Sequence, residues 1–124
     1  MSEDYDIITE ALASISQGVL IVDPSERVVF VNGPYRAFFD LPPALSRRGT
    51  PVRDMLHHLA ITGQYGSGDA DQLVDLRIAP LRGRRHWELD RRLADGRYVH
   101  VTGTPLESGG YVYTFTDVTQ RTQE

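Results

Sequence analysis

The sequence contains no cysteine and no lysine, and all 13 of its basic residues are arginine. The lack of cysteine excludes disulfide bonds, thiolate metal ligands and cysteine nucleophiles. There is no apolar run near the length needed to span a bilayer, and no signal-peptide pattern. We therefore expect a cytoplasmic domain whose residues make no contact with a membrane.

The charge balance is mildly acidic, with a formal net charge of −4 at pH 7. Binding to nucleic acid relies on a basic surface that neutralises phosphates, so we expect no nucleic-acid partner. The 124 residues, of which 40% are hydrophobic and 24% charged, are typical of one globular domain.

The N-terminal segment over residues 3–16 has a helical pattern. Ile8, Ala11, Leu12 and Ile15 recur at helical spacing and form one narrow apolar stripe. Gly18 is a suitable stop just after the last turn. The stripe has two interpretations: the helix packs on the core of its own domain, or Ile8, Leu12 and Ile15 form a dimer interface.

Two strands come next. The continuous apolar run over residues 19–23 is typical of a central strand that is covered on both sides or lies at a dimer contact. Pro24-Ser25-Glu26 forms a turn, and residues 28–31 form the second strand.

Three short helices are predicted after these strands. Asn32 is placed to cap the first with its side-chain oxygen, and Leu41-Pro42-Pro43 ends it. The second spans residues 52–61 and the third residues 69–82, with Asp69 or Asp71 as its cap. The predicted apolar faces consist of Tyr35, Phe38 and Phe39, then Val52, Met55, Leu56 and Leu59, then Leu73, Leu76 and Ile78.

The last third of the chain predicts three consecutive antiparallel strands. Residues 86–93 alternate, with Trp87, Leu89 and Leu93 on one face. Asp95-Gly96 supplies a tight turn because glycine tolerates positive φ. Strands over residues 98–104 and 111–116 complete the set. Five short strands with a helical insert between the second and third indicate an α+β fold.

This order of motifs resembles a PAS domain, a sensor module common in bacterial signalling proteins. The resemblance covers the chain from about Ile8 to Arg121. It is carried by residues 18–23, residues 28–32 before a helix, Asp95-Gly96-Arg97-Tyr98, and Asp117-Val118-Thr119-Gln120-Arg121, which is similar to the family's closing Asp-Ile-Thr-x-Arg. A subgroup often fused to histidine kinases or diguanylate cyclases is indicated by Leu41-Pro42-Pro43, Gly49-Thr50-Pro51 and Gly63-Gln64-Tyr65-Gly66.

Two positions depart from the family pattern. Asp40 stands where a glycine often follows the first helix after the strands, and Pro24-Ser25-Glu26 replaces the more usual turn that contains glycine.

The resemblance implies the PAS fold: a five-stranded antiparallel sheet in the order 2-1-5-4-3, short helices on one face, and an N-terminal flanking helix. It divides the chain into a flanking, dimerising helix (1–17), the PAS domain (18–119) and the start of an output linker helix (120–124). A ligand would lie between the helices and the sheet. The output signal would leave through Asp117, Thr119 and Arg121.

The function implied is that of a sensory and dimerisation module in a two-component signal-transduction protein, without catalysis of its own. We expect a homodimer that relays binding of a ligand or partner to an effector domain placed C-terminally in the same chain, with a histidine kinase as the first expectation. A diguanylate cyclase or phosphodiesterase is the alternative. A different class, a small α+β isomerase-like enzyme, would require a histidine and a carboxylate in a deep pocket, for example His100 with Asp90.

The predicted pocket residues are mostly apolar with a few polar groups, as a small-molecule site requires. The alternative is that they only fill the core. They are Tyr35, Phe38, Met55, His58, Leu59 and Trp87.

No cofactor or metal is assigned from the sequence. A light-sensing flavin adduct of the LOV type needs a cysteine, which this chain lacks. Haem is disfavoured because a lone helical histidine, His57 or His58, is poor evidence for ligation.

Overall fold

A computed structural model describes residues 4, 6–8, 10, 11 and 15–119 of the chain. Its centre is one five-stranded antiparallel sheet in the order β2-β1-β5-β4-β3, which confirms the predicted α+β architecture and strand order. The strands are β1 Gly18–Val22, β2 Val28–Val31, β3 Trp87–Arg92, β4 Tyr98–Pro105 and β5 Tyr111–Asp117.

Three α-helices lie between β2 and β3 in the chain, and their predicted positions are confirmed. The side-chain oxygen of Asn32 accepts a hydrogen bond from the Tyr35 N–H (3.1 Å), and Asp69 caps the third helix in the same way. These caps satisfy backbone donors that the first helical turn leaves free. The helices are α1 Gly33–Phe39, α2 Val52–Ile61 and α3 Ala70–Arg82, with a short 3₁₀ helix at Pro43–Leu45.

One hydrophobic core lies between the helices and the inner face of the sheet. Alternate residues of each strand point toward it, because successive side chains of a strand point to opposite faces. From α2, Val52, Met55 and Leu59 are fully buried against this face. The sheet contributes Leu20, Val22, Val99, Val101, Tyr111, Tyr113 and Phe115.

The apolar face predicted for α3 is wrong at one position. Val74, Ile78 and Leu81 are buried, whereas Leu76 is 70% exposed. Leu76 is two residues from both Val74 and Ile78, so it lies about 200° around the helix from them. The buried stripe therefore consists of Val74, Ile78 and Leu81, which are spaced by four and then three residues.

At both departures from the family pattern one residue has a positive φ, a conformation that glycine adopts readily. Asp40 adopts the left-handed conformation (φ 52°, ψ 46°) at the end of α1. Glu26 also has a positive φ, 63°, in the turn between β1 and β2. Aspartate visits this region more readily than most residues, so it can replace the glycine at Asp40.

Gly18 serves a different purpose from the predicted helix stop. It is the first residue of β1, and a Cβ atom there would lie 3.1 Å from both Phe38 Cδ2 and Tyr35 Cα. The missing side chain thus allows α1 to pack directly on the start of the sheet.

The N-terminal residues that the structure describes, 4, 6–8, 10 and 11, are helical. Ile8 is 57% exposed and Ile15 is 39% exposed, so these two members of the stripe are not buried in the core of their own domain. Leu12 lies outside the described residues.

Candidate functional site

A cavity of about 270 Å³ lies between the helices and the inner face of the sheet. It opens to solvent on one side, where the exposed residues Leu76 and Leu89 form part of its lining. Its lining is predominantly apolar and comes from β1, β3, β4, β5 and all three helices. The apolar members include Leu20, Phe39, Leu56, Leu89, Val101 and Phe115.

Two arginines from different elements also line the cavity. Arg77 of α3 lies with its guanidinium carbon 3.6 Å from the centre of the Tyr65 ring, and its Nη1 donates to the Leu73 carbonyl (3.0 Å). Arg91 of β3 is on the same face of its strand as Trp87 and Leu89. Within the described residues, neither guanidinium has a carboxylate within ion-pair distance.

The surroundings of these arginines disfavour their positive charge. Burial lowers the pKa of Arg77 to about 10, with a further contribution from the nearby charge of Arg91. Burial also lowers the pKa of Arg91. Both shifts arise because an apolar environment solvates a cation poorly. The cavity therefore carries positive charge that the described protein groups do not neutralise.

Tyr113 brings a buried polar atom to the cavity. The residue is only 6% exposed, and its hydroxyl has no hydrogen-bond partner among the described residues. Burial raises the pKa of Tyr113 well above its usual value. The indole nitrogen of Trp87 lies beside the Tyr111 hydroxyl but is also buried without a well-formed hydrogen bond. Unsatisfied buried polar groups are rare in proteins, and they often mark functional sites.

The six residues predicted to line a pocket are only partly brought together. Tyr35 and Trp87 line the cavity. Met55 and Leu59 of α2 are fully buried in the core, and Phe38 packs against Gly18 and the Arg97 guanidinium. His58 is half-buried on α2, and it does not line the cavity. Of the six predicted residues, therefore, two line the cavity and four lie outside its lining.

Sequence reasoning missed Arg77, Arg91, Tyr65 and Tyr113 as site residues. A signal existed for Arg91, because a charged residue at that position interrupts the apolar face formed by Trp87 and Leu89. Tyr65 lies in a glycine-rich connector without periodicity, so the sequence gave no reason to place it at the cavity.

The pair proposed for an enzyme active site does converge, but on the wrong side of the sheet. His100 Nδ1 lies 2.8 Å from Asp90 Oδ1, and His100 Nε2 lies 2.8 Å from Glu88 Oε1. The hydrogen bonds to Asp90 and then Glu88 raise the pKa of His100. The Asp90 side chain is 61% exposed on the outer face, so the deep pocket required by the isomerase-like interpretation is absent at this pair.

The predicted output junction follows directly from β5. Asp117 Oδ1 accepts a hydrogen bond from the Thr119 N–H (2.9 Å), and the hydrogen bonds with Thr119 lower the pKa of Asp117. Thr119 Oγ1 accepts from the Tyr98 N–H (2.9 Å), which fixes Thr119 to the start of β4. Arg121 lies outside the described residues.

Arg97 connects this junction to α1. Its Nη2 donates to the Phe38 carbonyl (3.2 Å), and its Nε donates to Asp95 Oδ2 (2.7 Å). Its charge also contributes to the lowered pKa of Asp117. Arg97 therefore joins the end of α1 to the turn between β3 and β4, and its charge acts on the residue after which the output segment begins.

In the part of the chain that the structure describes, no group of histidine and carboxylate side chains is arranged to hold a metal ion. Over the same residues, none of the helices combines the length and apolar character that crossing a bilayer requires.

Comparison with known proteins identifies the fold. A sequence family described as PAS fold matches residues 12–124. A search of curated proteins finds no match to this sequence. The structure is similar to the PAS domain of Bordetella pertussis BvgS, with a TM-score of 0.68 and 14% identity over 98% of this chain and 90% of that one.

Two further solved structures are similar to this chain. The phage VqmA–DPO complex has a TM-score of 0.62 and 20% identity over 98% of this chain, which spans 58% of the VqmA chain. A domain of a sensory box sensor histidine kinase/response regulator from Geobacter sulfurreducens has a TM-score of 0.55 and 15% identity over 91% of this chain and 94% of that one. At these identities the likeness shows a common fold.

Proposed function

Because the chain belongs to the PAS-fold family, we propose that this sensory domain binds a small molecule in the cavity between its helices and its sheet. The observation that carries the proposal is the cavity of about 270 Å³ between the helices and the inner face of the sheet. Small-molecule sites are typically mostly apolar with a few well-placed polar groups. Tyr113, Arg77 and Arg91 supply those polar groups.

The proposed relay runs along β5. Tyr113 and Phe115 of this strand line the cavity, and Asp117 and Thr119 follow at its end. β5 is the central strand and is paired with both β1 and β4. A ligand that binds one arrangement of the inner face more tightly than another would shift the equilibrium between them by its difference in binding free energy. The Asp117–Thr119 junction, which continues β5, would change with that equilibrium.

We further propose that the domain acts on a C-terminal effector in the same chain, with a histidine kinase as the first candidate. The likeness to a domain of a sensor histidine kinase/response regulator supports this choice. The catalytic activity then resides in the effector, and this domain contributes sensing alone. A cytoplasmic location is part of the same proposal, as the resemblance to bacterial sensor modules implies.

We also propose that the domain forms a homodimer through its N-terminal helix. Ile8 and Ile15 are exposed in the single chain, and the neighbouring Ile7 is 63% exposed. Burying these side chains against a second copy would be favourable, because each removes apolar surface from water. Ile8→Asp should reduce the mass measured by light scattering from a dimer to a monomer, whereas an unchanged mass would exclude this interface.

The experiment that tests ligand binding and relay uses ¹⁵N-labelled protein and benzene, a neutral apolar probe that enters apolar cavities. We expect benzene to shift the backbone amide resonances of Tyr113 and Phe115, and also those of Val118 and Thr119. Leu89→Trp is the control, because Leu89 lies at the partly exposed edge of the cavity and a larger side chain there would occupy it. Absence of shifts would refute the binding site, and shifts confined to the cavity would refute the relay.

The effector proposal is tested on the full-length protein. Incubation with labelled ATP should produce acid-labile phosphohistidine if the effector is a histidine kinase. Formation of cyclic-di-GMP from GTP without phosphohistidine would instead identify a diguanylate cyclase and overturn the kinase proposal.

A further inference from the structure

The charges around the cavity restrict the kind of molecule that it can hold. Arg77 and Arg91 belong to different elements, yet both line the cavity, where the charge of Arg91 adds to the burial that disfavours the charge of Arg77. Two partly buried cations without an acidic partner are unfavourable in the free protein, since partly desolvated like charges repel. A bound anion would remove this unfavourable interaction.

The one carboxylate that lines the cavity is already engaged elsewhere. Glu88 Oε1 is 2.8 Å from His100 Nε2 and Glu88 Oε2 is 3.1 Å from His86 Nε2, on the outer face of the sheet. Those hydrogen bonds lower the pKa of Glu88, first through His86 and then through His100. Glu88 is therefore not available to neutralise the two arginines.

The rest of the lining determines what accompanies the anionic group. Six aromatic side chains line the cavity, together with aliphatic residues from β1, β3 and β4. The polar groups other than the arginines are few, and one of them, the buried Tyr113 hydroxyl, lacks a partner among the described residues. This lining suits an apolar, ring-containing body, because aromatic rings pack favourably edge-to-face.

Resting on the proposed function, we propose that the ligand is a small carboxylate with an apolar, aromatic body, whose carboxylate pairs with Arg77 and Arg91. Guanidinium groups bind carboxylates through two parallel hydrogen bonds, which gives this pairing its geometry. A phosphate ester fits less well, because a dianion loses more hydration free energy than a monoanionic carboxylate when it enters a mostly apolar cavity. The volume of about 270 Å³ limits the ligand to a small molecule of this class.

The test measures binding of 3-phenylpropionate by isothermal titration calorimetry. The neutral amide of the same shape, 3-phenylpropionamide, and phenyl phosphate are the comparison ligands. We expect the carboxylate to bind at least tenfold more tightly than either. A phosphate that binds more tightly than the carboxylate would overturn the carboxylate assignment.

Variants then connect the preference to the two arginines. Arg91→Gln should weaken binding of 3-phenylpropionate about tenfold and leave the affinity for the amide unchanged. Arg77→Gln should act in the same direction, although Arg77 also contacts Tyr65 and the Leu73 carbonyl. Arg92→Gln is the matched control, because Arg92 is adjacent in β3, where side chains alternate between faces, and its guanidinium carbon lies 6.0 Å from the centre of the Tyr98 ring. Circular dichroism of each variant establishes that it is folded.

The outcomes separate this inference from the proposed function. If the carboxylate and the amide bind equally, the cavity remains a ligand site and the anionic class is refuted. If no probe binds while benzene still shifts the Tyr113 amide resonance, the cavity accepts neutral molecules and the inference is again wrong. An Arg92→Gln variant that loses as much affinity as Arg91→Gln would also exclude the pairing, since a general charge effect would then explain the preference.

Discussion

Tyr113→Phe should stabilise the domain, although it removes a polar atom from a native side chain. The hydroxyl of Tyr113 is buried without a partner in the described residues, and an unsatisfied buried hydroxyl costs about 1–3 kcal/mol. Phenylalanine keeps the ring, which packs 5.0 Å from Tyr111 and 6.4 Å from Trp87 between centroids. We therefore expect the free energy of unfolding to rise by about 1–3 kcal/mol.

Tyr111→Phe is the matched control on the same face of the same strand. The Tyr111 hydroxyl donates to the Arg85 carbonyl at 2.6 Å, so its removal should lower the free energy of unfolding by about 1 kcal/mol. Urea unfolding measured by far-UV circular dichroism gives both values. The fluorescence of Trp87, which is the only tryptophan, provides a second probe. A loss of stability in Tyr113→Phe equal to that in Tyr111→Phe would refute the reasoning, because the hydroxyl would then have a partner in the folded protein.

Three further predictions concern the cap, the inner face of the sheet and pH. Asn32→Ala should lower the free energy of unfolding by about 2–4 kcal/mol in urea titrations. The substitution removes the cap of α1 and leaves the buried N–H of Val19 without its 2.9 Å acceptor. A loss below about 0.5 kcal/mol would contradict this expectation. Gly103→Ala should cost about 1–3 kcal/mol and shift the fluorescence of Trp87, since a Cβ atom there would lie 2.6 Å from its indole nitrogen; unchanged emission would exclude the predicted displacement. Hydrogen bonds to Asp90 and then to Glu88 raise the pKa of His100 from 6.5 in the folded protein. The stabilisation that they provide is therefore full at pH values below the unfolded-state pKa of His100. It is lost as the pH rises through the folded-state pKa. His100→Gln should remove this decline from a stability–pH curve, and an identical slope in both proteins would contradict the assignment.

The fold could be predicted because local signals agreed along the chain. The alternation over residues 86–93 defines β3, the Asp95-Gly96 turn sets its pairing with β4, and Asn32 marks the start of α1. Helical periodicity failed at Leu76, where three apolar residues at irregular spacing did not define a single face. The purpose of Gly18 depended on how closely α1 approaches β1, which is a tertiary contact and leaves no pattern in the sequence.

The cavity was less predictable than the elements that form it. Apolar residues at helical spacing, such as Met55 and Leu59, look the same in the sequence whether they fill the core or line a cavity. Only packing separates the two cases, and it places both residues in the closed part of the core. Arg91 could have been identified from its register with Trp87 and Leu89, because a charge on an apolar strand face requires a local reason.

The pairing of Gly18 with Phe115 in antiparallel strands brings the two ends of the described domain to the same side of the molecule. A polypeptide that passes through this domain therefore comes back close to where it started. Such a domain can be inserted between other segments, or repeated in tandem, with little change in the path of the flanking chain.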